Sequence, residues 1–342
     1  MSDPLLQVES LSMHFPLGRG PGDRLRRRPP EVLRAVDGVD LELQRGETLG
    51  LVGESGCGKS TLGRCIVGLY TPTGGGIRFE GAPIEADRPR AERRRIQMVF
   101  QDPYSSLNPR MTVRQTLSEL LRAHDMVPKA SVAARCRELV ELVGLPERAL
   151  DAQPRQFSGG QRQRVSIARA LALEPDVLVA DEPVSALDVS VQATVLNLLE
   201  QLRDQLGLTM LLIAHNMAVV RHVCDRVAVM YLGRIVETAP TAELFADPRH
   251  PYTQGLLQAV PRLLPGRQSE APAVVGDPPS PVAVPSGCRF HPRCPIAQEP
   301  LCSEVDPRLE ASPRGPAQRA ACHFAWRPAP ARHVPEILEE SR

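Results

Sequence analysis

The segment GESGCGKST, residues 53–61, restricts the fold of this chain more than any other segment. It follows the apolar run LGLV and precedes TLGRCIVGLY, an order that predicts a short buried strand, a glycine-rich loop and a helix. Glycines allow successive backbone amides to converge on phosphate oxygens, and the helix N-terminus adds partial positive charge. The segment therefore predicts a P-loop, with Lys59 on the β- and γ-phosphates and the Ser60 hydroxyl oxygen on Mg²⁺.

A second apolar run, DVLVADEP at residues 176–183, ends in two acidic residues. Asp181 is suited to hold Mg²⁺ through its water shell, and Glu182 to orient or deprotonate an attacking water. Taken alone, this pattern is also typical of an ordinary strand end. Together with a P-loop it predicts a site that hydrolyses a nucleoside triphosphate.

The segment between these two, QFSGGQRQRVSIARAL at residues 156–171, predicts another phosphate site. The Ser158 hydroxyl and the amides of Gly159 and Gly160 would lie at a helix N-terminus, which favours anions. The segment resembles the signature motif of ATP-binding cassette (ABC) ATPases, with Phe157 where leucine is commoner. In that family the motif faces the P-loop of a partner subunit, so that two ATP molecules lie between two cassettes.

The resemblance extends to further positions in the family's order. Gln101 resembles the glutamine that senses Mg²⁺ and the water, Asp188 the D-loop aspartate, and His215 the switch histidine that contacts the γ-phosphate. Phe15 resembles the aromatic residue that stacks on adenine, although its position also fits simple core packing. These matches imply that ATP binding closes a dimer, that Glu182 activates water, and that loss of the phosphate reopens the interface.

The resemblance thus implies a complete set of site residues. The expected catalytic residues are Lys59, Gln101, Glu182 and His215, and the expected Mg²⁺ ligands are Ser60, Gln101 and Asp181. The residues expected to bind nucleotide are Gly53, Glu54, Ser55, Gly56, Cys57, Gly58, Lys59, Ser60, Thr61, Phe15, Asp181, Ser158, Gly159, Gly160, Gln161 and Asp188.

Alternating strand and helix patterns predict an α/β core with a mainly parallel sheet, including helices over 131–144 and 189–207. The resemblance adds an antiparallel β region and a helical subdomain at about 103–172. Of the 34 prolines, 16 lie from Pro261 onward, where helical periodicity is lost. We therefore expect an ABC nucleotide-binding domain at 1–260 and an irregular, proline-rich C-terminal extension at 261–342.

Three longer segments, residues 35–64, 99–113 and 242–257, resemble the ATPases of oligopeptide and dipeptide importers, in particular the second of the two paired ATPases. The resemblance implies ATP-driven peptide uptake with a second ATPase subunit, two membrane permease subunits docked through the region after Gln101, and an extracytoplasmic solute-binding protein. Importers of nickel or other small solutes share this ATPase family. A soluble ABC ATPase acting on a nucleoprotein and a P-loop kinase are weaker alternatives.

Composition restricts where the chain acts. No run approaches the ~18 consecutive apolar residues that span a bilayer, and the first residues lack the pattern of a signal peptide. The net charge of +1 indicates no nucleic-acid partner, and the basic runs at 24–30 and 88–95 are interpreted as solvated surface. We expect a peripheral protein at the cytoplasmic face of the cell membrane.

Four of the eight cysteines lie near the C-terminus, at Cys288, Cys294, Cys302 and Cys322. A reducing compartment disfavours disulfides, and a structural zinc site would more often have closer cysteine pairs. Spacing alone leaves thiols or a metal open. The resemblance of CRFHPRCP and the late CHF to the C-terminal element of peptide-importer ATPases implies a [4Fe-4S] cluster, with zinc or no metal as alternatives. Thiolate–metal bonds would anchor a tail that has few apolar residues.

Overall fold

A computed structural model describes residues 3–18, 31–85, 88–102, 106–258 and 276–326. The basic run at 24–30 lies outside the described residues, as do residues 103–105 directly after the Gln101 region. The described strands are β1 (Leu6–Pro16), β2 (Val32–Leu43), β3 (Thr48–Val52), β4 (Gly74–Phe79), β5 (Ala82–Pro83), β6 (Ile96–Val99), β7 (Val177–Asp181), β8 (Thr209–Ala214), β9 (Arg226–Tyr231), β10 (Arg234–Pro240), β11 (Glu310–Ser312) and β12 (Gly315–Ala320).

The strands form two sheets in the described part of the chain. The larger has the order β11-β12-β10-β9-β3-β8-β7-β6, and its five strands from β9 to β6 pair in parallel. The smaller has the order β2-β1-β4-β5 and is antiparallel. The predicted α/β class, with a mainly parallel sheet and an antiparallel region, is confirmed.

The parallel strands are apolar throughout because both faces of the sheet are covered. In β7, Val177 and Val179 pack with the small sheet and the first helix, while Leu178 and Ala180 face the helices on the opposite side. Each residue of β7 is buried. The sheet therefore separates two hydrophobic cores.

Helices and short 3₁₀ turns connect the strands. The described helices are α1 (Lys59–Ile66), α2 (Arg90–Arg95), α3 (Val113–Ala123), α4 (Val132–Leu142), α5 (Gly159–Leu171), α6 (Val189–Leu206), α7 (Met217–Val223), α8 (Thr241–Ala246), α9 (Pro251–Gln258) and α10 (Leu301–Glu304). Both long helices expected from the sequence are present: α4 is preceded by Ser131, and α6 ends at Gly207, whose φ of 66° gives the left-handed turn that glycine favours.

None of the helices in the described ranges combines the length and hydrophobicity needed to cross a membrane.

The basic run at 88–95 contacts acidic residues. Arg95 pairs with Glu80 and Asp176 at 2.7 and 2.6 Å. Arg88 is buried and Arg95 is paired with carboxylates of the same chain, so the interpretation of the whole run as solvated surface is wrong.

A buried carboxylate joins the C-terminal part to the main sheet. Strand β12 pairs with β10, and Glu237 of β10 is fully buried beside it. The Glu237 carboxylate accepts hydrogen bonds from the backbone amides of Arg249 and His250, at 2.8 and 2.9 Å, and from Gln318 Nε2 at 3.2 Å. Burial raises the pKa of Glu237. One side chain therefore links β10, the segment before α9 and β12.

Replacing this acid by its amide tests the junction. Glu237→Gln is expected to lower the free energy of unfolding by ~1–3 kcal/mol, because an amide N–H₂ group would then face hydrogen-bond donors in a buried site. Urea denaturation of the variant and of the exposed control Glu243→Gln measures the effect. Equal stabilities of the two variants would contradict the role given to Glu237.

Candidate active site

The P-loop connects β3 to α1 and lies against the backbone of two strands. A Cβ atom built on Gly58, whose φ is +108°, would lie 2.0 Å from the Ala35 carbonyl oxygen. A Cβ atom on Gly53, with φ +153°, would lie 2.1 Å from the Met230 carbonyl oxygen. Both glycines are required because the loop passes closer to β2 and β9 than any side chain allows.

The Lys59 side chain is buried within the P-loop. Its Nζ donates to the carbonyl oxygens of Gly53 and Glu54 at 2.8 and 2.9 Å, and the residue is 4% exposed. Cys57 Sγ lies 3.8 Å from the same nitrogen. Burial raises the pKa of the Cys57 thiol, so this cysteine is a neutral packing group and not a reactive thiolate.

Asp181, the last residue of β7, meets the start of α1. Its Oδ1 accepts a hydrogen bond from Ser60 Oγ at 2.8 Å, and the residue is 1% exposed. Burial raises the pKa of Asp181, although Ser60, Arg64 and Lys59 act in the opposite direction. Two adjacent protein oxygens suit Mg²⁺, which commonly takes one or two protein ligands and completes its shell with phosphates and water.

Three predicted catalytic side chains meet next to this pair. Gln101 Nε2 donates to Glu182 Oε2 at 2.9 Å, and His215 Nδ1 lies 3.4 Å from the same oxygen. Glu182 has a φ of 45°, a left-handed conformation that is strained for a residue with a side chain. Its amide donates to the Ile213 carbonyl oxygen at 3.0 Å. The parallel strands therefore bring Gln101, Glu182 and His215 to the same edge.

The SGGQ segment begins helix α5. Ser158 Oγ accepts from the Gln161 amide at 3.3 Å, and Gln161 Oε1 accepts from the Ser158 amide at 3.0 Å, a capping box. A Cβ atom on Gly160 would lie 2.4 Å from Val191 Cγ1, so the start of α5 packs directly on the start of α6. Ser158 is exposed, as is Asp188, the N-cap residue of α6.

The remaining predicted residues lie around the same loop or apart from it. Ser55 and Gly56 are exposed in the P-loop, and Thr61 is partly buried in α1. Phe15 of β1 is partly buried and packs edge-on against Tyr70, with ring centroids 5.6 Å apart. The contact with Tyr70 is a packing contact, and the adenine-stacking role of Phe15 stays a prediction.

Sequence reasoning missed two contacts of the P-loop. The Glu54 amide donates to the Tyr252 hydroxyl at 2.7 Å, and the Glu54 carboxylate receives two hydrogen bonds from Arg293 at 2.8 and 3.0 Å. Tyr252 lies in the segment 242–257, which was matched only to importer ATPases, and Arg293 lies between Cys288 and Cys294. Neither residue was therefore expected at the P-loop. A usable signal was the carboxylate within the P-loop, because a charge held near phosphates needs a counter-charge.

The four C-terminal cysteines are free thiols, and they lie close enough to interact electrostatically. The Cys288 amide donates to the Cys302 carbonyl oxygen at 2.8 Å. Burial is the main cause that raises the pKa of Cys288 to about 11 and of Cys294 to about 12, and the neighbouring cysteines add to both shifts. Within the described ranges, no group of three or more His, Cys, Asp or Glu side chains has the arrangement that holds a metal ion.

Comparison with solved structures identifies the class of the fold. The chain is similar to cbiO1 from Clostridium perfringens, part of the ABC transporter complex cbiONQ, at 31% identity over 72% of this chain and 92% of the other, with a TM-score of 0.60. It is also similar to the ATP-binding cassette MJ0796, solved as a dimer in a post-hydrolysis state with ADP and Pi, at 27% identity over 69% and 98%, with a TM-score of 0.60. Residues 36–185 match the family model described as ABC transporter. The protein is an ABC ATPase.

Curated relatives narrow the class further. A probable peptide ABC transporter ATP-binding protein of Sinorhizobium fredii is 49% identical over 98% of this chain and 93% of its own. The oligopeptide transport ATP-binding protein AppF of Bacillus subtilis is 46% identical over 94% and 98%. Residues 236–302 match the family model described as oligopeptide/dipeptide transporter, C-terminal region. The chain therefore belongs to the ABC transporter ATP-binding proteins, in their oligopeptide/dipeptide branch.

Substitution in the P-loop tests the close approach of its backbone. Gly53→Ala is expected to weaken nucleotide binding at least tenfold, ~1.4 kcal/mol, because the new methyl group would displace the loop from the Met230 carbonyl. Gly56→Ala is the matched control: its φ is also positive, at +79°, but nothing lies within 4 Å of the added Cβ. Calorimetric titration with ATP compares the two. Equal losses of affinity would show that contact with β9 is unimportant.

Proposed function

We propose that this chain is the ATP-hydrolysing subunit that energises uptake of di- or oligopeptides across the cytoplasmic membrane as part of an ABC importer. The observation that carries the proposal is the combination of two features in one chain. The P-loop, Asp181, Glu182, Gln101 and His215 meet at a single sheet edge, and residues 236–302 match the C-terminal region of oligopeptide/dipeptide transporters.

In the proposed reaction each group at the edge has one task. The P-loop amides and Lys59 bind the β- and γ-phosphates, and Ser60 and Asp181, with Gln101, would hold Mg²⁺. When bound there, Mg²⁺ would supply positive charge that neutralises charge developing on the phosphates. Glu182 accepts a proton from the attacking water, and its contact with Gln101 supports this because that amide orients the carboxylate. His215, which follows β8 at the same edge of the sheet, contacts the γ-phosphate.

The exposed start of α5 supports a second ATPase subunit as a partner. Ser158 and Gly159 would bind the ATP held by the P-loop of a second ATPase subunit, and the exposure of Ser158 and Asp188 supports such an interface. The dimeric structure of the similar cassette MJ0796 is consistent with it. We propose a heterodimer in which this chain is the second paired ATPase, at the cytoplasmic face of the membrane, with two permease subunits and an extracytoplasmic solute-binding protein.

We further propose the domain division expected from the sequence. Residues 1–260 form the nucleotide-binding domain, with the helical subdomain at about 103–172, and residues 261–342 form the extension. Packing among α3, α4 and α5 supports the helical subdomain, since Leu117, Leu139 and Ile167 belong to one core cluster, which continues onto the main sheet at Leu178. The extension docks on the main sheet through the pairing of β12 with β10.

The cysteines of the extension are proposed to hold a [4Fe-4S] cluster. Four free thiols lie near one another in the extension, since the other cysteines of the set act on the pKa of Cys288 and of Cys294. Their number supports the proposal, because a [4Fe-4S] cluster takes four thiolates. The four thiolates would hold the cluster, whose bonds would fasten the segment where apolar burial is sparse.

The acid at the end of β7 provides the test of hydrolysis. Glu182→Gln is expected to leave ATP binding intact and to reduce hydrolysis ~10²–10⁴-fold, because the amide cannot accept the proton of water. The measurement is phosphate release and uptake of di-, tri- and longer peptides by the reconstituted complex. Lys59→Ala, in contrast, should weaken nucleotide binding itself. Near-normal ATP turnover by Glu182→Gln would show that Glu182 does not accept the proton of water. Uptake of Ni²⁺ and not of peptides would show that the cargo is nickel.

Metal content provides the test of the cluster. Protein purified without oxygen from an iron-replete host is expected to be brown, with about four iron and four sulfide per chain. Cys294→Ser should lower both contents, while Cys136→Ser, a buried cysteine in the helical core, should not. Colourless protein without iron would contradict the proposal, and zinc in its place would support the single-ion alternative.

A further inference from the structure

The P-loop contains a carboxylate at Glu54, the residue directly after Gly53. A carboxylate beside a phosphate site repels the negative charge of the nucleotide, and the repulsion is strong where water is partly excluded. The Glu54 side chain is 29% exposed, so solvent screens it only in part. A counter-charge is therefore needed for this loop to bind phosphate well.

Arg293 supplies that counter-charge from far along the sequence. Its Nη1 donates to Glu54 Oε2 at 2.8 Å and its Nη2 to Glu54 Oε1 at 3.0 Å, which is the paired geometry that arginine and carboxylate favour. The Arg293 side chain is 7% exposed and lies 5.8 Å from the centre of the Tyr231 ring. Its Nε is buried and meets no acceptor. The buried guanidinium thus has Glu54 as its one ion-pair partner in the described chain.

Glu54 is held from three directions at once. Its amide donates to the Tyr252 hydroxyl at 2.7 Å, its carboxylate pairs with Arg293, and its carbonyl oxygen accepts from Lys59 Nζ at 2.9 Å. A displacement of Glu54 would therefore also displace an acceptor of the phosphate-binding lysine. Two residues outside the GESGCGKST motif, Tyr252 and Arg293, are thus linked to the lysine through Glu54.

We propose that Arg293 is a positioning residue of the P-loop, one that neutralises Glu54 and fixes its place so that Lys59 and the loop amides face the phosphates. This inference rests on the proposed nucleotide site. Arg293 lies in the 3₁₀ turn His291–Arg293, which is followed directly by Cys294. The counter-charge of the P-loop therefore comes from the cysteine-bearing segment, residues 287–302, through this one side chain.

Arg289, in the same segment, offers a matched control. Its guanidinium is as buried as that of Arg293 but pairs with Asp37 and with the Leu232 carbonyl oxygen, not with the P-loop. Asp37 also contacts His14, at 2.9 Å, and Arg234, at 3.8 Å, so it keeps cationic neighbours when Arg289 is replaced. Replacing Arg289 weakens the docking of the segment without leaving a P-loop carboxylate unpaired.

The test uses the full-length chain, with titration of ADP by calorimetry and ATP hydrolysis in the assembled complex. Arg293→Gln is expected to raise the dissociation constant of ADP and the KM for ATP about tenfold, ~1.4 kcal/mol, with kcat changed less than about twofold. Arg293→Lys, which keeps the positive charge, should lose less affinity for ADP than Arg293→Gln. The double variant Glu54→Gln/Arg293→Gln should recover most of the lost affinity, because it removes the unpaired carboxylate.

The outcomes separate this inference from others. Thermal unfolding of each variant reports on docking, and Arg289→Gln is expected to lower stability with little change in ADP affinity. Equal weakening of ADP binding by Arg289→Gln and Arg293→Gln would overturn the positioning role, and no recovery in the double variant would overturn the inference that Arg293 acts by neutralising Glu54. If Lys59→Ala weakens ADP binding and Arg293→Gln does not, the positioning role of Arg293 fails and the proposed function stands. If the unmodified chain binds no nucleotide, the proposed function fails with it.

Discussion

The parallel pairing of β9, β3, β8, β7 and β6 is the constraint on which the site depends. Parallel strands place their carboxyl ends at one edge, so the residues that follow β3, β7 and β8 become neighbours although they are far apart in sequence. The P-loop, Glu182 and His215 occupy these positions, and Gln101 follows β6. Because both faces of the sheet are covered, its strands must be apolar on both faces. The most hydrophobic segments therefore form the sheet, and the polar groups lie at its edge.

The C-terminal part is attached by different forces. Among its described residues, 276–326, few apolar side chains are buried, and the largest of these is Phe290, which packs among Tyr231 and Tyr252. Hydrogen bonds and ion pairs attach the rest of it. Glu237 accepts a hydrogen bond from Gln318, Asp37 forms an ion pair with Arg289, and Glu54 forms an ion pair with Arg293. Such contacts depend on orientation more than burial does, because a charge in a poorly hydrated site is stable only beside its partner. A segment held in this way fits against the cassette in one arrangement, which is why it contacts the P-loop at a defined residue.

Local pattern was sufficient for much of the site because the relevant residues are close in sequence. The glycines at 53–58, the lysine that follows and the capping box of Ser158 and Gln161 each arise from a few consecutive residues. Pattern was insufficient for Phe15, where β1 packs the ring against Tyr70 and the sequence alone admitted both stacking on adenine and packing. It was also insufficient for Tyr252 and Arg293, which lie about 200 and 240 residues after the loop they contact.

The sequence by itself determined the strand-loop-helix order of the P-loop and the acids at the end of β7. Those properties follow from hydrophobic periodicity and from the conformational freedom of glycine, which act within a few residues. Only the tertiary structure decided that Gln101 and His215 share the Glu182 carboxylate, and that Glu54 is paired with Arg293. Pairing between distant charges depends on the three-dimensional path of the chain, which no local pattern encodes.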